Sequence, residues 1–219
     1  MTFRLPSPKS WDGSGVIIKV CGLTRPEDVE LCLELGVDWL GFVLEPETPR
    51  ALTIDAAQAL VKQVDHRAVC CAVFGVLRSL DGLQTFDLVQ YRSDPNGLAP
   101  QLGDRALPAL TPADCDEKEA PARFVLEPQV PGTWGGTGVQ IDLSTALEVR
   151  ERFPSSQLIL AGGLRPDNVA EAIRSVHPDG VDVSSGVEEK PRIKSAQLLA
   201  DFVDQVRKAE LEAKKGRER

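Results

Sequence analysis

Lys19 and Cys21 stand two residues apart in the first strongly apolar run of the chain, Val16–Gly22. In an extended segment, residues at that spacing share a face. The Lys19 ammonium then lies beside the Cys21 thiol, where a cation favours thiolate, the form able to accept a proton. Glu127 ends the run Arg123–Glu127, ahead of Pro128, and supplies a second acid–base group. Arg50, after Thr48-Pro49, and Arg92 follow two other apolar runs. Two guanidinium groups facing one opening suit a carboxylate or a phosphate. Near the C-terminus, Ala161-Gly162-Gly163-Leu164 and Ser184-Ser185-Gly186-Val187 each close an apolar run. Small residues let backbone N–H groups reach phosphate oxygens, and Arg165-Pro166-Asp167-Asn168 reads as a helix start whose positive end favours an anion. Packing readings stand beside these: a buried core cysteine at 21, a solvated carboxylate at 127, tight turns at the glycines. Asp142 suits a helix N-cap, Cys32, Cys70 and Cys71 suit packing, and Cys115 suits a loop thiol.

The segments that must position these groups alternate between apolar runs and amphipathic stretches. Strands are predicted over Val16–Gly22, Trp39–Leu44, Ala68–Gly75, Leu88–Arg92, Ala106–Thr111, Arg123–Glu127, Leu158–Gly163 and Gly180–Gly186. Helices are predicted over Pro26–Gly36, Thr53–Val64, Ser79–Phe86, Leu143–Phe153, Pro166–Val176 and Ser195–Lys208, with inward apolar positions at helical spacing. Gly97–Gly103 and the polar, Pro-containing Thr111–Pro121 leave the fourth and fifth helices short or absent. Strand–helix alternation implies a parallel sheet. Eight such units in 219 residues predict an α/β fold, a single (β/α)8 TIM barrel with a degenerate middle. A doubly wound open sheet would carry a Gly-rich fingerprint after the first strand, whereas the first turn reads Cys21-Gly22-Leu23-Thr24. The expected layout is a flexible leader over residues 1–15, the barrel over 16–208, and a fraying charged tail over 209–219.

Composition excludes several classes of function. Lys and Arg total 25 against 33 Asp and Glu, a net charge of −8. That balance lacks the basic footprint of a nucleic-acid binder and opposes an anionic membrane surface. No apolar run is long enough for a transmembrane helix, and the first residues hold no signal-peptide core. Five cysteines without a C-x-x-C pair fit a reducing, cytoplasmic compartment. The only histidines, His66 and His177, end no strand, which argues against a histidine-based metal site.

Taken together, several blocks resemble the phosphoribosylanthranilate isomerase family of tryptophan biosynthesis. They are Lys19-Val-Cys-Gly-Leu-Thr-Arg-Pro-Glu-Asp28, Gly41-Phe-Val-Leu44, Thr48-Pro-Arg50, Val73-Phe-Gly-Val76, Val89-Gln90, Gly135-Gly-Thr-Gly138, Leu160-Ala-Gly-Gly-Leu164, Pro166-Asp-Asn-Val169 and Val181-Asp-Val-Ser-Ser-Gly-Val-Glu188. The resemblance implies a cofactor-free, metal-free Amadori rearrangement of N-(5′-phosphoribosyl)anthranilate to 1-(2-carboxyphenylamino)-1-deoxyribulose 5-phosphate. It implies that Cys21 takes the proton from the sugar C2′ and that Glu127 protonates the ring oxygen. Arg50 matches the arginine that meets the anthranilate carboxylate and Asp182 the strand-eight aspartate, while Lys19 and Arg92 are expected to bind substrate from their own places at the same mouth. Gly136, Gly138, Gly162, Gly163, Ser184, Ser185 and Gly186 match the phosphate cradle. The implied partner is a small phosphosugar, with oligomeric state unspecified. The alternatives are a related phosphosugar isomerase with another substrate, or a phosphate-binding barrel with little turnover. Three departures stand out. Glu127 replaces the usual aspartate, Arg92 replaces a histidine, and Glu189-Lys-Pro-Arg-Ile-Lys194 lacks the glycine and aspartate of the usual P-G-x-K-D. Restoring the usual residue by Glu127→Asp is expected to retain or raise activity. The alternation of faces further predicts that Lys19 and Asp182 point into the barrel and pair.

Overall fold

The computed structural model describes residues 15–117, 119, 121–128 and 139–217. Eight parallel strands close into a barrel in sequence order. They are β1 (Ile17–Cys21), β2 (Trp39–Val43), β3 (Val69–Val76), β4 (Leu88–Ser93), β5 (Ala106–Leu110), β6 (Arg123–Leu126), β7 (Gln157–Leu160) and β8 (Gly180–Val183). Around them lie α1 (Pro26–Glu34), α2 (Ile54–Val64), α3 (Pro112–Glu117), α4 (Leu143–Arg152), α5 (Val169–Val176) and α6 (Ala196–Arg217). This is the predicted (β/α)8 architecture. No helix among the described residues is long and apolar enough to cross a membrane.

Strand alternation divides the interior into two cores. Ile18, Val20, Val181 and Val183 turn outward and pack with helix residues such as Val29, Ile173 and Phe202. Ile17, Trp39, Val69, Cys71, Leu88, Val125 and Ile159 fill the barrel lumen. Burying each such aliphatic or aromatic side chain contributes about 1.5–3 kcal/mol. The lumen is therefore a plug, and chemistry is confined to its ends.

At the N-terminal ends of the strands, one device recurs three times. Asp38, Asp87 and Asp179 each precede an even-numbered strand. Their carboxylates accept the N–H of Ile18 (2.9 Å), Cys70 (2.8 Å) and Leu158 (2.8 Å) on the preceding odd-numbered strand. These bonds pin strand pairs at the end away from the Cys21 mouth.

The middle is more degenerate than the sequence pattern suggests. The segment expected as a helix over Ser79–Phe86 keeps only a 3₁₀ turn at Leu83–Thr85. The Ser79 hydroxyl accepts the Asp81 N–H at 3.0 Å, which offers the backbone a non-helical partner. A 3₁₀ segment over Ala99–Arg105 is broken at Gly103 (φ 56°), and the fifth helix is the short α3. Strand β8 ends at Val183, and Ser185–Val187 forms a 3₁₀ turn. A hairpin of β9 (Glu188–Lys190) and β10 (Ile193–Lys194) follows, which periodicity did not predict. The last helix extends past the expected Lys208 to Arg217.

Candidate active site

Cys21, the last residue of β1, lies at the C-terminal mouth, and Lys19 sits one inward position below it. β1 and β8 bring Lys19 opposite Asp182. Their side chains form a buried ion pair, Nζ to Oδ2 2.6 Å, with 0% and 8% of the two side chains exposed. Burial works against the ammonium, but the charge of Asp182, helped by Cys21 and Cys71, outweighs it and raises the Lys19 pKa. Lys19 therefore stays charged. The second oxygen of Asp182, Oδ1, is buried and, among the described residues, has no hydrogen bond. At Cys21, burial pushes the thiol above its ordinary value of 9.0, and Lys19, Lys194 and Arg50 offset only part of that. Lys19 favours thiolate, as the sequence predicts, yet desolvation wins.

Arg50, expected at the substrate carboxylate, closes its fork on Glu188: Nε to Oε1 2.8 Å and Nη2 to Oε2 2.5 Å. Glu188 also receives Lys194 Nζ at 3.2 Å. The same ammonium donates to the carbonyls of Cys21 (2.8 Å) and Ser184 (3.0 Å), tying the ends of β1 and β8 together. Burial works against the Glu188 carboxylate, but Arg50 and Lys194 outweigh it and hold its pKa below the ordinary value. Desolvation lowers the Lys194 pKa against the opposing pull of Glu188. Neither Glu188 nor Lys194 emerged as a site residue from spacing. The available signals were Glu188 at the end of the D-V-S-S-G-V-E block and Lys194 matching the lysine of P-G-x-K-D.

Glu127 lies just beyond β6, where its N–H donates to the Leu110 carbonyl at 2.9 Å. Arg92, on β4, donates to its Oε1 from both Nε (3.0 Å) and Nη2 (2.5 Å). These side chains are 20% and 16% exposed, so the pair sits at the rim. Asp142 is elsewhere: it caps α4, accepting the Thr145 N–H at 2.8 Å. Its bonds to Ser144 and Thr145 hold the pKa down, to about 2.

The two small-residue turns pack on each other at the ends of β7 and β8. Gly162 and Gly163 adopt φ 101° and 62°, which ends the strand earlier than the expected Gly163. A methyl group on Gly186 would overlap the Leu164 carbonyl oxygen. Asn168 fastens the β7 turn, accepting the Arg165 N–H at 2.7 Å and donating Nδ2 to the Gly163 carbonyl at 2.9 Å. Those bonds hold residues 165–168 as a turn, and α5 begins at Val169 instead of Pro166. Among the described residues, the N–H groups of Gly163 and Leu164 donate to no backbone carbonyl, which leaves donors for an anion. Gly136 and Gly138 lie outside the described residues. The described residues of the expected cradle, Gly162, Gly163, Ser184, Ser185 and Gly186, lie in the two packed turns that follow β7 and β8.

Comparison with known proteins bears on what this mouth does. Residues 18–205 match the family model for N-(5′-phosphoribosyl)anthranilate (PRA) isomerase. The chain is 38% identical to the N-(5′-phosphoribosyl)anthranilate isomerase of Thiobacillus denitrificans, over 88% of this chain and 98% of that protein. Its structure superimposes on phosphoribosyl anthranilate isomerase from Thermotoga maritima with a TM-score of 0.77 and 30% identity, covering 88% of this chain and 99% of the other. A further phosphoribosyl anthranilate isomerase, solved in complex with reduced 1-(o-carboxyphenylamino)-1-deoxyribulose 5-phosphate, matches at TM-score 0.74 and 28% identity, covering 88% and 99% of the two chains.

Proposed function

The chain belongs to the N-(5′-phosphoribosyl)anthranilate isomerase family, and we propose that its barrel mouth performs that family's Amadori rearrangement with Cys21 as base and Glu127 as acid. Glu127 gives its proton to the furanose ring oxygen, and the ring opens as the amine nitrogen forms a protonated imine. Cys21 then removes the C2′ proton, giving the enolamine that rearranges to the aminoketose. Asp182, fixed by Lys19, keeps Oδ1 for the substrate amine. The turns holding Gly163 and Ser185 take the phosphate. Family membership favours this substrate over another phosphosugar and over a binding barrel without turnover.

The observation that supports these roles is the shared mouth: Cys21, Glu127 and Asp182 all lie at or near strand C-termini of one closed barrel, beside the turns of β7 and β8. Barrel enzymes keep their chemistry at that end. The test follows loss of phosphoribosylanthranilate fluorescence. Cys21→Ala should abolish turnover while leaving the Kd of the reduced product analogue within a few fold, since base loss costs about 10²–10⁴-fold or more in rate. Glu127→Gln should be similarly impaired, because an amide cannot give up the ring-opening proton. Near-normal turnover in either variant would remove that residue from the mechanism.

A further inference from the structure

Resting on that reading of Glu127, we propose that Arg92 is a positioning residue for the acid: it grips Oε1 of Glu127, presents Oε2 to the substrate ring oxygen, and does not bind the substrate itself. Its Nε and Nη2 converge on the same carboxylate oxygen, at 3.0 and 2.5 Å. Among the described residues no hydrogen bond reaches Oε2. β4 and β6 are not neighbours, since β5 lies between them. Arg92 therefore reaches over the end of β5 to meet Glu127, a span that needs a long side chain. Its planar fork fixes direction as well as distance, which a lysine point charge does not. A glutamate at a partly exposed rim has one more rotatable bond than an aspartate, and such a group needs an external hold to keep one oxygen aimed. Two of the guanidinium nitrogens, Nε and Nη2, are thereby turned to Glu127.

The two rim residues thus form a matched set. Shortening Glu127 by one carbon draws its carboxyl back by about 1.5 Å, one C–C bond, which takes Oε1 out of reach of both donors. A displacement near 1 Å costs about 10²-fold in rate. This reverses the expectation from residue type alone, under which Glu127→Asp retains or raises activity.

The test is a double-mutant cycle of Arg92→Ala and Glu127→Asp, each compared with wild type for kcat, KM and the Ki of the reduced product analogue. Expected are a fall in kcat of about 10- to 100-fold for each single variant, KM and Ki within about threefold, and a double variant no slower than the worse single. Arg92→Lys should recover only part of the loss. A tenfold rise in Ki for Arg92→Ala with kcat retained would overturn the proposal in favour of direct substrate binding. Additive losses in the double variant would overturn it too. Independently of turnover, the ¹³C carboxyl resonance of Glu127, assigned through Glu127→Gln, must move in Arg92→Ala. An unmoved resonance refutes the pairing, while a moved resonance in an enzyme that does not convert phosphoribosylanthranilate refutes only the assigned reaction.

Discussion

Lys19→Met is the perturbation with the most direct physical consequence. The variant keeps much of the lysine volume and removes the charge. Asp182 then stays buried with only 8% of its side chain exposed. Among the described residues its Oδ1 already lacks a hydrogen bond, so neither oxygen then has one. Breaking one half of a buried pair costs about 3–5 kcal/mol, because an uncompensated charge remains in the interior. For a chain of this size each kcal/mol moves Tm by about 2–4 °C, so a fall of about 6–20 °C is expected. Lys19→Met/Asp182→Asn leaves no buried charge and should cost clearly less than the sum of the single variants. Thermal and urea unfolding followed by circular dichroism reads both quantities. If Lys19→Met unfolds within about 1 kcal/mol of wild type, or the double variant is simply additive, the pair is not the buried, coupled unit described above.

Three other outcomes follow from the site. Because burial raises the Cys21 thiol above 9.0, kcat/KM should still be rising with pH near 9, and Asp182→Asn, which removes a like charge, should move that rise lower; a flat profile from pH 7 to 9 would argue against a thiolate base. Gly186→Ala forces a methyl group against the Leu164 carbonyl, so it should cost at least about 1–3 kcal/mol and weaken inorganic phosphate binding by competition assay; unchanged phosphate affinity would detach that turn from the cradle. Glu188, held below its ordinary 4.5, contributes stability that is complete above pH 4.5 and lost as pH falls through its lowered value; the Tm gap between wild type and Glu188→Gln should therefore close in acid, and a constant gap would show that the carboxylate charge is not what Arg50 and Lys194 hold.

Legibility in the sequence followed the range of the forces involved. The alternation of Ile18 and Val20 against Lys19 and Cys21 is a property of one strand, because successive side chains of any strand point to opposite faces. The same parity applied to Asp182 predicts the Lys19 pair once the barrel closes. The Asp142 cap is equally local, since the carboxylate serves N–H groups within its own first turn. Helical periodicity failed over Ser79–Phe86, where a hydroxyl competes for the backbone, and it stopped α6 short of Arg217.

Residue types and order by themselves determined the eight-unit barrel, the end at which Cys21 and Glu127 would stand, and the small-residue turns of β7 and β8. Tertiary structure alone decided how the charges at the mouth are shared. Arg50 meets Glu188 across 138 residues of chain, and Arg92 meets Glu127 across 35. Lys194 reaches the Cys21 carbonyl across 173. No local pattern encodes such partners, because an ion pair depends on the distance between side-chain tips, and that distance exists only once the strands have closed. The balance at Cys21 has the same origin: the neighbouring lysine is visible in the sequence, but the burial that overrides it comes from the surrounding fold.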